Sequence, residues 1–289
     1  MATVHWRSER WIDIQLRNLR RFLPGEPRLY AFLNRVPGDH RHKFAFVSEQ
    51  PIKDHATKLS LLGDVMCFAA ADPSDLLVFA DGDAFPVAPL GPLLEERLER
   101  HRLIAVQRTE NNGDLQPHPC FCVTTVGFWQ EIGGEWYSGY RWDDAQGRSV
   151  TDVGGNLLGR LREAGVDWYP LRRMNTVDLH PLFFALYGDE EHGPLVYHHG
   201  GAFRSSKGGR VNRVLAGEPE AWRKLRSRLL ERVPSSLRWL RRRYSPARRL
   251  RRSLRLETRE LSEQVLAELE RDEEFWRRFV SEPRAGARG

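Results

Sequence analysis

Two aspartates separated by one residue, Asp81 and Asp83, follow a short apolar run from Leu76 to Ala80. A continuous apolar run of this length is typical of a central parallel strand covered on both faces. Functional residues of open α/β sheets collect where such strands end. Two carboxylates there supply hard oxygen ligands that suit Mg²⁺ or Mn²⁺, and these cations suit a diphosphate. Because Asp and Gly are also common turn formers, a solvated turn is the alternative interpretation.

The composition indicates a globular protein, since 40% of the 289 residues are hydrophobic and nine are tryptophan. The length fits one large α/β domain or a domain with an appendage. No run approaches the roughly 18 apolar residues that span a bilayer, and the segment MATVHWRSERW has no apolar signal-peptide core. We therefore expect a cytoplasmic enzyme.

Three cysteines, Cys67, Cys120 and Cys122, are an odd number in a long chain. This argues against a disulfide framework and for a reducing compartment. Cys120 and Cys122 could bind a metal together with His118, but no second ligand pair accompanies them. Packing of their strand into the core is the favoured interpretation.

Positive charge is concentrated in one segment of the chain. Residues 221–255 contain 14 Lys and Arg and a single acid, so this segment carries +13 and leaves −7 for the remainder of a chain whose total is +6. The high pI is therefore no nucleic-acid signature of the folded body, and we expect no nucleic-acid partner. Amphipathic basic helices in this segment predict that it docks on an anionic surface, at the inner face of a membrane. Packing on the catalytic domain or on a second subunit, as a homo-dimer through residues 218–280, is the alternative.

Apolar spacing predicts alternating strands and helices, which is the mark of an α/β sandwich. A first strand at Thr3–Trp6 precedes an amphipathic helix over about 8–22. The other predicted elements are strands at 28–35 and 43–50, a helix at 55–70, a helix at 91–102, a strand at 103–108, a helix at 156–165, and strands at 167–173 and 195–201. The predicted domains are a catalytic core at 1–204, a linker at 205–217 and a basic helical extension at 218–289.

The region 111–148 is rich in Gly, Trp and Tyr and lacks a clean period, so it is predicted to form loops and hairpins over the catalytic edge. Its aromatic residues either fill the core or stack on a sugar. Trp136, Trp142 and Asp143 are the residues we expect at the acceptor.

With these motifs in this order, residues 1–204 resemble the GT-A fold, nucleotide-sugar-dependent glycosyltransferases. The segment HATKLSLLGDVMCFAAADPSDLLVFADGDAFPV is similar to the part of that family where a basic helix residue precedes the Asp-x-Asp strand. The resemblance implies a Rossmann-like α/β/α sandwich with a mixed sheet. It also implies that Lys58, Asp81 and Gly82 face a nucleoside-diphosphate donor, with the base near Val4 to Trp6. UDP is favoured and GDP is next.

The segment HHGGAFR, residues 198–204, resembles the His-x-x-Gly-x-x-Lys element of glycogenin-type members. The resemblance implies that His198 is the third metal ligand beside Asp81 and Asp83, and that Arg204 holds the diphosphate. Imidazole suits Mn²⁺ better than Mg²⁺, and guanidinium suits phosphate. The second histidine keeps His199 open as the ligand in place of His198.

The segment TDVGGNLLGRLREAG resembles the Glu-Asp motif of inverting members, with Thr151 in the place of the Glu. That resemblance implies that Asp152 is the catalytic base. The alternative is an ordinary helix N-cap, in which case Asp143 and Asp144 are the next candidates. The histidine element is commoner in retaining enzymes, so the two resemblances differ over stereochemistry, and inversion is favoured.

Three other classes compete with this interpretation. A haloacid-dehalogenase-like phosphohydrolase also places Asp-x-Asp after an apolar strand, but it requires Thr or Val where Phe85 stands. A sugar nucleotidyltransferase requires a Gly-rich phosphate loop after its first strand, and HWRSERW contains no glycine. A non-enzymatic adaptor acting through the basic segment leaves the two aspartates and His198 unexplained.

Overall fold

The computed structural model describes residues 1–111, 113–144, 147–180, 182–200 and 246–280, with side chains from residue 259 onward in the last range. The chain divides into two compact units. The first joins residues 1–200 to the segment that begins at Asp272, and the second includes the helix that ends at Arg271.

Ten strands of the first unit form one mixed sheet, in the spatial order β3-β2-β1-β4-β7-β6-β10-β11-β12-β5, and β8 and β9 form a separate pair. The strand bounds are β1 Ala2–Trp6, β2 Tyr30–Asn34, β3 Phe46–Ser48, β4 Leu76–Asp81, β5 Ala84–Pro86, β6 Leu103–Val106, β7 His118–Thr125, β8 Trp142–Asp143, β9 Ser149–Val150, β10 Tyr169–Arg173, β11 Ala185–Asp189 and β12 Gly193–His198.

Six α-helices occur in the described part of the chain, which gives a mixed α/β fold and confirms the predicted class at that level. Their bounds are α1 Arg10–Phe22, α2 His55–Ala69, α3 Gly91–Leu98, α4 Val126–Glu131, α5 Gly155–Glu163 and α6 Pro246–Arg271. A short 3₁₀ helix, Phe275–Phe279, follows α6 in sequence and belongs to the first unit.

The strand directions place the carboxyl ends of several strands, including β4 with its aspartates, at one edge of the sheet. Strands β3, β2, β1 and β4 run parallel to one another, while β7 is antiparallel to both of its neighbours, β4 and β6. The carboxyl ends of β1, β2, β4 and β6 therefore open on the same side. This is the edge where open α/β sheets bind ligands.

Apolar cores cover both faces of the sheet, as the uninterrupted apolar sequence of β4 predicts. Val78 and Ala80 belong to the core formed with α1 and α3, whereas Leu77 and Phe79 belong to the core formed with α2, α4 and α5. Because successive strand side chains point to opposite faces, β4 must be apolar at every position. The run ends only where the carboxylates begin.

The prediction of loops and hairpins for residues 111–148 is wrong at its centre. His118–Thr125 forms β7, a strand between β4 and β6 whose side chains are almost all buried, and α4 follows directly. Cys120 and Cys122, two residues apart, would share one face of a regular strand. They lie instead in opposite cores, beside the register irregularity between Ala105 and Val106 where β6 pairs with β7. Both thiols are fully buried, which confirms the core-packing interpretation of this strand.

The segment 272–280, which we call the C-terminal strap, lies against the β12 side of the sheet. Phe275 meets Tyr197 with ring centroids 4.9 Å apart, and the Phe279 carbonyl accepts hydrogen bonds from the backbone N–H groups of Thr176 and Val177 at 3.0 and 3.1 Å. Glu273 pairs with Arg21 of α1. The first unit thus includes, beyond the expected domain boundary at residue 204, a segment that begins at Asp272.

The predictions for the basic segment lie mostly outside the described residues. Within the described part, α6 begins at Pro246, where proline is favoured at a helix start. None of the helices described is long and apolar enough to cross a membrane. The membrane and dimer interpretations of residues 218–280 stay predictions.

Replacing Phe279 by Ala should lower the free energy of unfolding by about 3–5 kcal/mol, the usual cost of removing a buried phenyl ring, since this ring is 0% exposed. Urea denaturation followed by far-UV circular dichroism measures the loss. Phe68→Ala is the matched control, because Phe68 is 92% exposed and its truncation should change the value by no more than about 0.5 kcal/mol. Equal losses of unfolding free energy in the two variants would contradict a stabilising role of the C-terminal strap.

Candidate metal centre

The turn that follows β4 is pressed against β1, and this contact determines where the two aspartates point. The Gly82 N–H donates to the Val4 carbonyl at 3.2 Å. A Cβ atom on Gly82 would lie 2.6 Å from that carbonyl and 2.7 Å from Nδ1 of His5, so only glycine fits. Gly82 therefore serves the site through its backbone, by letting Asp81 and Asp83 leave the sheet edge together.

Asp81, Asp83 and His198 converge on one point and are called the triad below. Nε2 of His198 lies 3.5 Å from Oδ2 of Asp81 and 3.5 Å from Oδ1 of Asp83. One ligand atom from each residue lies within 4.8 Å of the other two. His198 reaches this position because β12 pairs with β5, where it is opposite Ala84.

The second oxygen of each carboxylate has its own partner. Oδ1 of Asp81 is 2.8 Å from Nε2 of His55, the first residue of α2. Oδ2 of Asp83 accepts the backbone N–H of Gly200 at 3.1 Å. Each carboxylate thus keeps one oxygen for the centre of the triad.

Electrostatics hold the triad in a charge-compensated state. Burial alone would raise the pKa of Asp81, but His55 and His198 outweigh burial and hold that pKa well below its usual range. The pKa of Asp83 is lowered too, because the hydrogen bond and charge of His198 outweigh its burial. Burial would lower the pKa of His198, yet Cys120 and the two carboxylates raise it well above the usual value. Two buried carboxylates require a nearby cation, which the His198 proton supplies here.

A divalent cation fits the same position. Two carboxylate oxygens and one imidazole nitrogen form a mixed hard and borderline donor set that accepts Mn²⁺ and, less readily, Mg²⁺. A divalent cation bound here would have to displace the proton of His198, since only neutral imidazole binds a metal. The residues present therefore fit the metal site predicted from the sequence.

His199 is turned away from the triad. Its Nδ1 is 2.9 Å from the hydroxyl of Tyr197, and its ring packs against Trp11 with centroids 4.5 Å apart. Burial lowers its pKa to about 4, so it is neutral at pH 7. The geometry selects His198, rather than His199, as the third candidate ligand.

Three cations surround the indole of Trp6, at the carboxyl end of β1, and this group is called the Trp6 cluster. Lys58 Nζ lies 4.8 Å from the ring centroid, and the guanidinium carbons of Arg7 and Arg35 lie 5.3 and 5.7 Å from it. Arg7 and Arg35 have positive φ angles of 60° and 56°, a conformation that is strained for arginine. Such a concentration of positive charge beside a half-buried aromatic ring suits an anion that carries a ring.

The Trp6 cluster and the triad are neighbours. Val4 is paired with Asp81 across β1 and β4, and Trp6 lies two residues further along β1, which is about 7 Å. Helix α2 connects them as well, because His55 contacts Asp81 and Lys58, one turn later, contacts Trp6. The ammonium of Lys58 is buried, which lowers its pKa, although Asp54 partly opposes this. The structure therefore brings the predicted residues Trp6 and Lys58 together beside the triad.

Asp152 lies on an exposed loop just before α5. Its side chain accepts the Val153 N–H at 2.8 Å, and the N-cap of α5 is Gly154, so the capping interpretation is wrong. A Cβ atom on Gly154 would meet the Pro117 carbonyl at 2.3 Å, which places this loop against the start of β7. The ring of His118, the first residue of β7, is 6.3 Å from that of His198. The loop is thus on the triad side of the sheet edge.

Other predicted site residues have different surroundings. Trp136 is 0% exposed and packs between Phe79 and Trp129, so the expectation that it stacks on an acceptor is corrected: its ring has no free face. Trp142 is buried as well, and Val4 belongs to the core.

The acids of the neighbouring hairpin differ from each other. Asp143 is exposed on β8, whereas Asp144 is buried and bound by both the backbone and the guanidinium of Arg148, which makes it a structural residue. Arg204 lies outside the described residues.

Three residues at this edge escaped the sequence analysis, namely His55, Arg7 and Arg35. His55 stands three positions before Lys58, a spacing that places both on one helix face, and this signal could have identified it. Nothing in the sequence marks the two arginines, because each follows a different strand and they meet only around Trp6.

Asp83→Ala should weaken Mn²⁺ binding by at least about a hundredfold, more than the usual cost of losing an outer partner of a metal ligand. Electron paramagnetic resonance of free Mn²⁺ gives the dissociation constant. Asp64→Asn, an exposed aspartate change on α2, is the control and should leave the constant unchanged. Undiminished binding by Asp83→Ala would remove the triad as the metal site.

Comparison with models of protein families finds no match for this chain, and comparison with curated proteins finds none either.

Proposed function

We propose that this protein is a metal-dependent glycosyltransferase of the GT-A type, which moves a sugar from a nucleoside-diphosphate sugar to an acceptor hydroxyl. The observation that carries the proposal is the triad, with its ligand atoms within 4.8 Å of one another, beside the cationic Trp6 cluster at one sheet edge. A nucleoside diphosphate has an anionic half and a half that carries a ring. The metal site suits the diphosphate, and the aromatic ring with its three cations suits the nucleoside end.

Each part of the donor has a group to hold it. Bound at the triad, Mn²⁺ or Mg²⁺ would neutralise the diphosphate as it becomes the leaving group. Lys58 offers a buried ammonium to a phosphate oxygen, and Trp6 offers its ring edge to the base. Arg204 is the predicted further contact to the diphosphate. UDP remains the favoured nucleotide, with GDP next.

Asp152 is the proposed base. In a direct displacement it would take the proton of the acceptor hydroxyl while that oxygen bonds to the anomeric carbon and the bond to the diphosphate breaks. The exposure of Asp152 leaves it accessible to an acceptor, and the single displacement inverts the anomeric configuration. Asp143 is exposed nearby in sequence and stays a candidate acceptor contact.

The rival metal-dependent classes have less support. In a phosphohydrolase, Asp81 would be the nucleophile, but its Oδ1 is held by His55 and its Oδ2 is the oxygen that the proposed metal takes. A nucleotidyltransferase would cradle phosphates between β1 and α1, where Arg7, Ser8 and Glu9 offer no glycine.

Differential scanning fluorimetry with Mn²⁺ and a panel of UDP, GDP, ADP and phosphate tests the proposal. We expect stabilisation by UDP or GDP only when Mn²⁺ is present, as ligand linkage requires. It should be absent in Asp83→Ala. Stabilisation by phosphate alone, or release of phosphate from a phosphomonoester, would favour the hydrolase and overturn the proposal.

Lys58→Gln should weaken UDP or GDP binding about tenfold or more, because one charge-assisted hydrogen bond contributes about 1.5–3 kcal/mol. Isothermal titration in the presence of Mn²⁺ measures this loss. Lys53→Gln is the matched control, since Lys53 is exposed and precedes α2. Similar affinities in the two variants would exclude Lys58 from the donor site.

Asp152→Asn should retain nucleotide binding while transfer falls by at least about a hundredfold, as expected for a lost general base. Donor turnover is followed by release of the nucleoside diphosphate, and product anomers by nuclear magnetic resonance. The control is Asp167→Asn, an exposed aspartate before β10. Near-normal turnover of Asp152→Asn would shift the assignment to Asp143.

A further inference from the structure

His55 contacts the triad from the start of α2, and no role for it follows from the sequence motifs. Its Nε2 lies 2.8 Å from Oδ1 of Asp81, and because a carboxylate oxygen accepts, this nitrogen carries the hydrogen and donates. The helix start is itself fixed, since the N-cap Asp54 accepts both the backbone N–H and the hydroxyl of Thr57, at 2.7 and 2.8 Å. His55 thus acts from a rigid element.

The geometry points to His55 as a positioning residue that holds Asp81 so that Oδ2 faces the metal. This inference rests on the proposed metal site and deepens it. The terminal torsion of an aspartate is soft, so its carboxylate rotates easily unless one oxygen is held. With Oδ1 bound to His55, Oδ2 remains on the side of His198, 3.5 Å from its Nε2.

The other carboxylate of the triad is held in the same manner. Oδ2 of Asp83 accepts the Gly200 N–H at 3.1 Å, which leaves Oδ1 near His198. Each aspartate therefore has one donor that fixes it and one oxygen directed to the centre. The donor to Asp83 belongs to the backbone, whereas the donor to Asp81 is a side chain and can be removed by mutation.

His55 is a partner of a ligand rather than a ligand. The group of atoms that lie within 4.8 Å of one another contains Asp81, Asp83 and His198. The Nε2 of His55 is directed at the outer oxygen of Asp81, and about a third of its side chain is exposed. Outer partners of this kind typically change metal affinity by about 10- to 100-fold when removed.

Substituting His55 by either of two amides distinguishes a hydrogen-bonding role of this side chain from one in which it only fills space. Glutamine places its amide nitrogen close to the position of the histidine Nε2, whereas the shorter asparagine places it near Nδ1, out of reach of Asp81. We expect His55→Asn to bind Mn²⁺ about 10- to 100-fold more weakly than wild type, and His55→Gln to stay within about threefold. His42→Asn and His42→Gln, at an exposed histidine, are the matched controls and should not differ.

Mn²⁺ affinity is measured by electron paramagnetic resonance on the full chain, and the melting temperature of the metal-free protein is recorded for each variant. A selective loss in His55→Asn at an unchanged melting temperature supports the inference. Equal affinities for wild type, His55→Asn and His55→Gln would overturn it while leaving the triad intact. An absence of Mn²⁺ binding by wild type would instead overturn the metal site itself.

Discussion

Two carboxylates buried side by side require a positive charge between them, and this requirement governs the sheet edge. Asp81 and Asp83 leave β4 together, and the imidazole of His198 is the group that compensates them in the metal-free protein. Because desolvation penalises uncompensated charge strongly, β12 must bring His198 to the end of β4. In the proposed metal site, a divalent cation would take the place of the His198 proton and meet the same need.

To compensate the two carboxylates, the imidazole of His198 must be placed precisely, and the elements around the triad hold it and the aspartates in position. Gly82 has no Cβ and therefore allows β1 to pack closely against the turn, and this contact fixes the positions of the two aspartates at the sheet edge. On the opposite side, Phe275 of the C-terminal strap packs on Tyr197, the residue that precedes His198. Asp81 and His198 therefore lie on strands whose neighbours are packed, and Asp83 lies in the two-residue turn between β4 and β5. A site held by such elements is more rigid than one on long loops.

Helix α2 positions residues at both groups of this sheet edge, the triad and the Trp6 cluster. Its first turn directs His55 at Asp81 and Lys58 at Trp6, so one capped helix start serves both the triad and the Trp6 cluster. The triad is acidic and the Trp6 cluster is basic. The proposed donor, which joins an anionic diphosphate to a ring, would span the two. This division of charge, rather than the total charge of the chain, is the chemically informative feature.

Local sequence determined much of the fold, because apolar runs and helical spacing encode β1, β4, α1, α2 and α5 without reference to distant residues. It also determined the Asp81–Asp83 pair, since carboxylates directly after a buried strand are visible in the sequence. Only the tertiary structure decided which strands are neighbours, and hence that β7 lies beside β4, that His198 rather than His199 faces the aspartates, and that Trp136 is core. An indole or an imidazole has the same local pattern in either environment, and burial and partners arise from contacts between residues far apart in the chain.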